Sequence, residues 1–211
     1  MNWLAFYNPA GVGDVLLLTR DKGNRNHTVS ENKGPFTLVK DDETDQVVSI
    51  NLHHASDLLA LEGVGQIQLA SEQLESLNQA LKDQGIEEVV TLEDGPSFVV
   101  GYVEECVDHE DSDHLHITQT RVSQDQVLQI VCGAANITQG LYVIVAKPGA
   151  VMPSGAIIWP GELRGVASNG MICSTRELGL EAIENYPGIW ELPSKFEVGT
   201  PLERVVDYYR D

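Results

Sequence analysis

From Phe98 to Ser174 the chain alternates between short apolar runs and loops rich in glycine, proline and aspartate. The runs are "FVVGYVEECV", "LHITQTRV", "QVLQIVC", "LYVIVAK", "AIIW" and "MICS". Each suits a strand and falls short of a helix. The separators, "DHEDSD", "GAANITQG", "PGAVMPSG" and "PGE", are turn chemistry. Closely spaced strands with almost no helix predict a small closed barrel. Their number and spacing fit a Greek-key barrel better than an immunoglobulin sandwich.

The preceding part reads as mixed α+β. "NWLAFY" and "DVLLLTR" flank the turn-rich "NPAGVG" and predict a hairpin; "FTLVK" and "VVSINLHH" are two more strands. The period then changes. In "SEQLESLNQALKDQG", Leu74, Leu77 and Leu81 form one apolar helical stripe. Ser71 is the expected cap, Glu72 suits the positive helix end, and Gly85 stops the helix. "VVTL" is expected as a strand, the basic stretch 20–34 as an exposed loop, and "EDGPS" (93–97) as a linker. The expected division is an α+β domain over residues 1–92, an all-β barrel over 93–200, and a helical tail over 201–211. Trp190 of "GIWELP" is expected to pack on the barrel.

Composition excludes several functions. Thirteen basic residues against 32 acidic ones give a net charge of −19, which opposes indiscriminate nucleic-acid binding. The unevenness matters more. Residues 98–113 hold six acids and no base, whereas residues 114–176 hold Arg121, Lys147, Arg164 and Arg176 against Asp125 and Glu162. A polyanion can meet locally positive ground there while the rest of the surface repels it, which favours a fitted contact. The bases can equally serve to neutralise nearby acids.

Three widely spaced cysteines without a CxxC argue against a disulfide framework or structural zinc. With no lysine or arginine before Arg20 and no run of membrane-spanning length, a soluble cytoplasmic protein is expected. "HEDSDHLHI" gathers metal-type donors, but its spacing fits no standard site and turn chemistry accounts for it. Neither a metal nor another cofactor is expected. Cys132 and Cys173 end apolar runs, where a thiol acts as a small buried hydrophobe. No catalytic constellation is visible, so an enzyme is not expected.

The stretch "ELRGVASNGMICSTRELGL" (162–180) is more particular. Ser174 and Glu177 form a capping box and Gly179 closes a helix of about one turn, which places Arg176 at a barrel rim. Just upstream, "SNG" offers a hydroxyl, an amide and bare backbone, equipment for reading RNA or for a tight turn.

"VCGAANITQGLYVIVAKPGAVMPSG" followed by "LRGVASNGMICSTRELGL" resembles the EMAP II/CsaA-like tRNA-binding domain found at the front of bacterial phenylalanyl-tRNA synthetase β chains. The likeness runs over roughly residues 95–200. A barrel of this kind behind a small α+β domain resembles the YtpR family of bacterial tRNA-binding proteins. The resemblance implies an OB-fold that binds folded tRNA by shape and phosphate contacts, without catalysis. Carried over by position, Lys147 and Arg164 face phosphates, Asn136, Ser168 and Asn169 supply polar contacts, and Met171 packs beneath them. Arg121 and Arg176 complete the expected RNA-binding set. The family's first loop usually reads His-Pro-(Asp/Asn)-Ala-Asp-Lys-Leu. Here it is His109-Glu110-Asp111-Ser112-Asp113-His114-Leu115, so a lysine is missing. Large rings are few, which disfavours binding by stacked single strands. The expected partners are tRNA and an aminoacyl-tRNA synthetase or another translation protein, with no membrane. The alternative is a protein-interaction or chaperone-like module that kept the fold without RNA, and a homodimer through a barrel edge or the terminal helix stays open.

Overall fold

The computed structural model describes residues 2–24, 26–92, 95–184 and 186–210. The first two residues of the expected linker, Glu93 and Asp94, and Arg25 of the basic stretch lie outside them. The chain is mostly β with few helices and forms two compact units, Met1–Asp94 and Gly95–Asp211.

In the first unit, β1 (Leu4–Tyr7), β2 (Val15–Thr19), β3 (Thr28–Lys33), β4 (Phe36–Asp41), β5 (Val47–His53) and β6 (Gly65–Ile67) form an antiparallel sheet. Its order is β3-β4-β5-β2-β1-β6. The β1–β2 connection is a single helical turn, α1 (Pro9–Val12), capped by the Asn8 side chain on the Gly11 amide. Alternate residues of the sheet, including Ala5, Leu16, Leu18, Phe36, Leu38, Ile50 and Leu52, are buried in one core with Leu77 and Leu81 of α2 (Ser71–Asp83). A sheet with one apolar face requires such a cover.

Three local expectations are corrected. Ser71 is the first helical residue, not the cap: Ala70 caps, and its amide is accepted by the Gln73 side chain at 2.8 Å. The C-terminus behaves as read, because Gly85 at φ 66° lets its own amide reach Lys82 O and the Ile86 amide reach Leu81 O. Half of the basic stretch is not loop but edge strand β3, whose polar side chains hid it. "VVTL" forms no strand; one bridge, Trp3 to Leu92, is all that it contributes to the sheet.

The second unit is built on β7 (Phe98–Asp108), β8 (His116–Arg121), β9 (Val127–Cys132), β10 (Tyr142–Ala146) and β13 (Met171–Ile172). The order is β13-β10-β7-β8-β9, with β14 (Glu191–Leu192) also on β10. β11 (Gly161–Leu163) and β12 (Val166–Ser168) make a separate hairpin that sequence reading missed, whereas "AIIW" gives only a bridge from Val151 to Ile157. β10 is buried on both faces. Val143 and Val145 enter a core with Val103, Ile130 and Ile172, while Ile144 and Ala146 enter a second with Trp190, Cys173 and Val205. Double burial explains why "YVIVA" shows no polar alternation.

Trp190 is fully buried, as expected of "GIWELP", and α3 (Leu202–Arg210) buries Val205 and Val206. In β7 the register shifts between Val103 and Glu105, a bulge that bends the strand. Gly101 is required there because a Cβ would lie 2.6 Å from Val145 Cγ2.

The expected barrel is not closed by a ladder: among the described residues the strand path stays open between β13 and β9. Residues 167–169 cross this seam with three separate hydrogen bonds. The Asn169 amide donates to Gln129 O (2.8 Å), Gln129 Nε2 donates to Ala167 O (2.8 Å), and the Val131 amide donates to Ser168 Oγ (3.1 Å).

Among the described residues no helix is long and apolar enough to cross a membrane. Burial pushes the Cys173 thiol up to about 12 and raises that of Cys132, with Cys106 raised as well. Thiols so held are protonated at neutral pH and slow to react. In native protein at pH 8, iodoacetamide should leave Cys173 and Cys132 unmodified and reach Cys106 slowly, whereas all three should react in urea. Mass spectrometry of the alkylated peptides reads the order.

Candidate nucleic-acid interface

The β11–β12 hairpin turns on two residues, Arg164 at φ 49° and Gly165 at φ 78°. Two left-handed residues make the type I′ turn that suits hairpin twist, usually supplied by Asn-Gly. An arginine in the first position carries backbone strain, so something must hold it. Arg164 Nη1 donates to Asp111 O at 2.7 Å. Beneath that contact His109, 3% exposed, accepts the Asp111 amide on Nδ1 (3.1 Å). That leaves Nε2 to carry the proton and donate to Leu163 O at 3.3 Å. The acidic first loop and the hairpin are thus clasped together. His109 of "HEDSDHLHI" is a structural clasp; among the described residues no His, Cys, Asp or Glu cluster has metal-site geometry.

Asn136 is spent on structure. Its amide nitrogen donates to Ile189 O (3.0 Å) and Glu191 Oε1 (2.8 Å), and its oxygen accepts the Ile189 amide (3.0 Å). Gly188 faces it so closely that any Cβ would collide with Asn136 Oδ1. Arg121 is also committed. It makes a two-pronged pair with Glu104 at the β7 bulge, the Nε contact at 2.6 Å. It also sits apart from the others, since Val131 at the seam pairs with Ile117, four positions along β8. Ser168 gives its hydroxyl to the seam and Asn169 its backbone amide.

Lys147, Arg164 and Arg176 stand on three separate turns. Ala146 pairs with Met171 across β10 and β13, so Lys147 lies beside Gly170 and the "SNG" turn. Gly170, at φ 143°, allows the chain to pass Ala146 O, which a Cβ would approach to 3.0 Å. Arg176 is exposed on the turn after β13. That turn is held by the capping box read from sequence: Glu177 Oε2 accepts the Ser174 amide (2.7 Å) and hydroxyl (2.6 Å), and Ser174 Oγ accepts the Glu177 amide (3.2 Å). The box stabilises a single turn, and no helix follows. Among the described residues Lys147, Arg164 and Arg176 have no carboxylate within 4.0 Å, in contrast to Arg20, Lys33, Lys40 and Arg121. Sequence reading missed His109 and the Glu104 pairing, because both depend on contacts between strands.

A family model described as "Putative tRNA binding domain" matches residues 98–201, and one described as a domain of unknown function (DUF4479) matches residues 23–93. The phenylalanine–tRNA ligase β subunit of Oceanobacillus iheyensis is 48% identical over 128 residues, which are 57% of this chain and 15% of that subunit. That of Rhodospirillum rubrum is 49% identical over 110 residues, covering 52% and 13%. A structure of a MetRS-related protein from Pyrococcus horikoshii aligns with 49% of this chain and 85% of its own. At a TM-score of 0.36 and 19% identity, that likeness is too loose to carry an argument. The matches define a two-part protein, a domain of unassigned role followed by a domain of the tRNA-binding class. Over nearly its whole length the chain is also similar to "Putative tRNA-binding protein YtpR" of Bacillus subtilis, 40% identical over 199 residues, 94% of this chain and 98% of that protein. The chain belongs to the YtpR family.

Two substitutions separate structure from surface. Asn136→Ala should cost about 1–3 kcal/mol, since three hydrogen bonds are lost and the Ile189 groups are left half-buried without partners. Arg164→Asn should change stability by less than about 1 kcal/mol, because asparagine relieves the left-handed strain that loss of the Asp111 contact offsets. Urea unfolding midpoints measure both.

Proposed function

We propose that this protein binds folded tRNA, without catalysis, through residues 93–200, whose strands wrap as an OB-type barrel closed by the 167–169 seam. The family membership supports the reading. The observation that carries it is electrostatic: among the described residues Lys147, Arg164 and Arg176, all around the 162–176 stretch, have no carboxylate within 4.0 Å in a chain of net charge −19, with Asp113 the acid whose field reaches Arg164. Arg121, by contrast, is paired with Glu104. Three cations on turns, with Lys147 beside the half-buried Gly170, suit phosphates held at fixed spacing. The surrounding acids repel RNA that does not fit.

Asn136 and Arg121, committed internally, drop to supporting roles in this proposal; Lys147, Arg164, Arg176 and Asn169 form the contact set, with Ser168 and Met171 beneath it. The 1–92 domain stands as a separate module. A cytoplasmic protein handing tRNA to an aminoacyl-tRNA synthetase or another translation protein fits this arrangement.

Fluorescence anisotropy with labelled tRNA at two salt concentrations tests the reading. Binding should follow a log–log salt slope of about −3 to −5. The Lys147→Ala/Arg164→Ala/Arg176→Ala variant should lose about 2–3 of that slope, at roughly 0.7–0.9 per phosphate contact, with its unfolding midpoint kept. Absence of salt-sensitive binding by the folded wild type at low salt would overturn it in favour of a protein-interaction module.

A further inference from the structure

β9 and β13 flank the seam that no ladder closes. Residues 167–169 bridge it as far as Val131. Beyond that point the chain leaves β9 at Gly133, and residues 174–177 and 186–189 lie opposite, leaving a cleft of about 390 Å³. Val131, Cys132, Ile172 and Ile189 are buried beneath it, with Met171 half-buried, and polar atoms make up more of the exposed lining than apolar ones. Its rim carries Arg176, Tyr186 and the bare backbone of Gly133 and Gly188.

The walls are fixed by groups already in use. Asn136 ties down Ile189 from both its amide and its carbonyl. Thr175 Oγ1 accepts the Tyr186 amide at 3.3 Å. Glu177 lines the cleft too, but its carboxylate is turned to Ser174 by two hydrogen bonds to Oε2 within the capping box. The cleft therefore offers one cation, Arg176, the ring of Tyr186, whose hydroxyl is turned to Glu191, and peptide edges. The volume stands at the small end of ligand pockets, about 300–1,000 Å³. A duplex is too wide to enter and A-form pairing hides its base edges, whereas a single unpaired base presents a flat apolar face and a free edge.

We propose that this cleft receives one unstacked nucleotide of the bound RNA, with its base on the floor beside Tyr186 and its phosphate against Arg176. The assignment rests on the RNA-binding reading above and adds to it a pocket for an unpaired residue, where that reading uses only backbone phosphates. Stacking of this kind tolerates any base, so the pocket selects unpaired over paired RNA more than one sequence over another.

The test uses the full chain. Each of the four nucleoside 5′-monophosphates is titrated while the backbone amides are followed by NMR, and tRNA and blunt duplex RNA affinities are measured in parallel. Shifts should be confined to Gly133, Ala134, Gly188 and their neighbours. Ala134→Leu, which fills the cleft and removes no charge, should abolish those shifts and weaken tRNA by about tenfold, with duplex binding unchanged. If Ala134→Leu fails to fold, Tyr186→Ala, which removes the ring without adding volume, takes its place and should give the same loss. Wild type and cleft variants that bind tRNA alike, with the cleft amides unmoved by nucleotides, would overturn the pocket and leave the tRNA reading standing. Nucleotide shifts confined to the cleft in a protein that binds no tRNA would keep the pocket and sink that reading.

Discussion

The Ser168 hydroxyl accepts the Val131 amide across the one place where the second unit's sheet has no ladder among the described residues. Much of the unit depends on this contact and its two neighbours at Gln129. Without them β9 and β13 would be free edges, with unpaired amides and carbonyls open to water or to another chain. The short "SNG" turn suits the task. A hydroxyl substitutes for a strand partner, a backbone amide supplies the next bond, and Gly170 lets the chain slip past Ala146 O. A seam made of discrete hydrogen bonds also explains why a cleft opens immediately beyond it.

The same economy shapes the electrostatics. Arg121 is neutralised by Glu104, the residue that the β7 bulge pushes out of register. Lys147, Arg164 and Arg176 stand on turns whose geometry is set by other groups: a glycine, the Asp111 carbonyl with His109 behind it, and a capping box. None of those partners is a carboxylate facing the cation. Arg164 is held by its hydrogen bond to Asp111 O and has lost part of its freedom before any ligand arrives, which lowers the cost of ordering it on binding.

Several elements were legible because their information is local. The leucine stripe and Gly85 mark α2, alternation marks β4 and β5, and apolar runs mark β2, β7 and β10. The elements that were missed carry little local signal. β3 is an edge strand of polar residues, stable only because Phe36–Asp41 lies beside it. The β11–β12 hairpin hides because its turn uses arginine where asparagine is expected. "VVTL" misled in the other direction: β-branched residues favour a strand, but no sheet edge offers it more than one bridge. For the candidate site, residue types and spacing pointed to the stretch 162–176 on which the proposal rests. They could not reveal that Asn136 and Arg121 face inward to partners 53 and 17 positions away.

What the sequence determined by itself is the two-part organisation, the β-rich second unit, the capped turn at Ser174 and the family's motif order, because periodicity, caps and glycine placement act over a few residues. Only the tertiary structure decided which polar groups remain free for a ligand. A hydrogen bond needs two partners, and the partners of Asn136, Arg121, Ser168 and His109 come from other strands. The surface left for a ligand is what remains after the fold has satisfied its own polar groups.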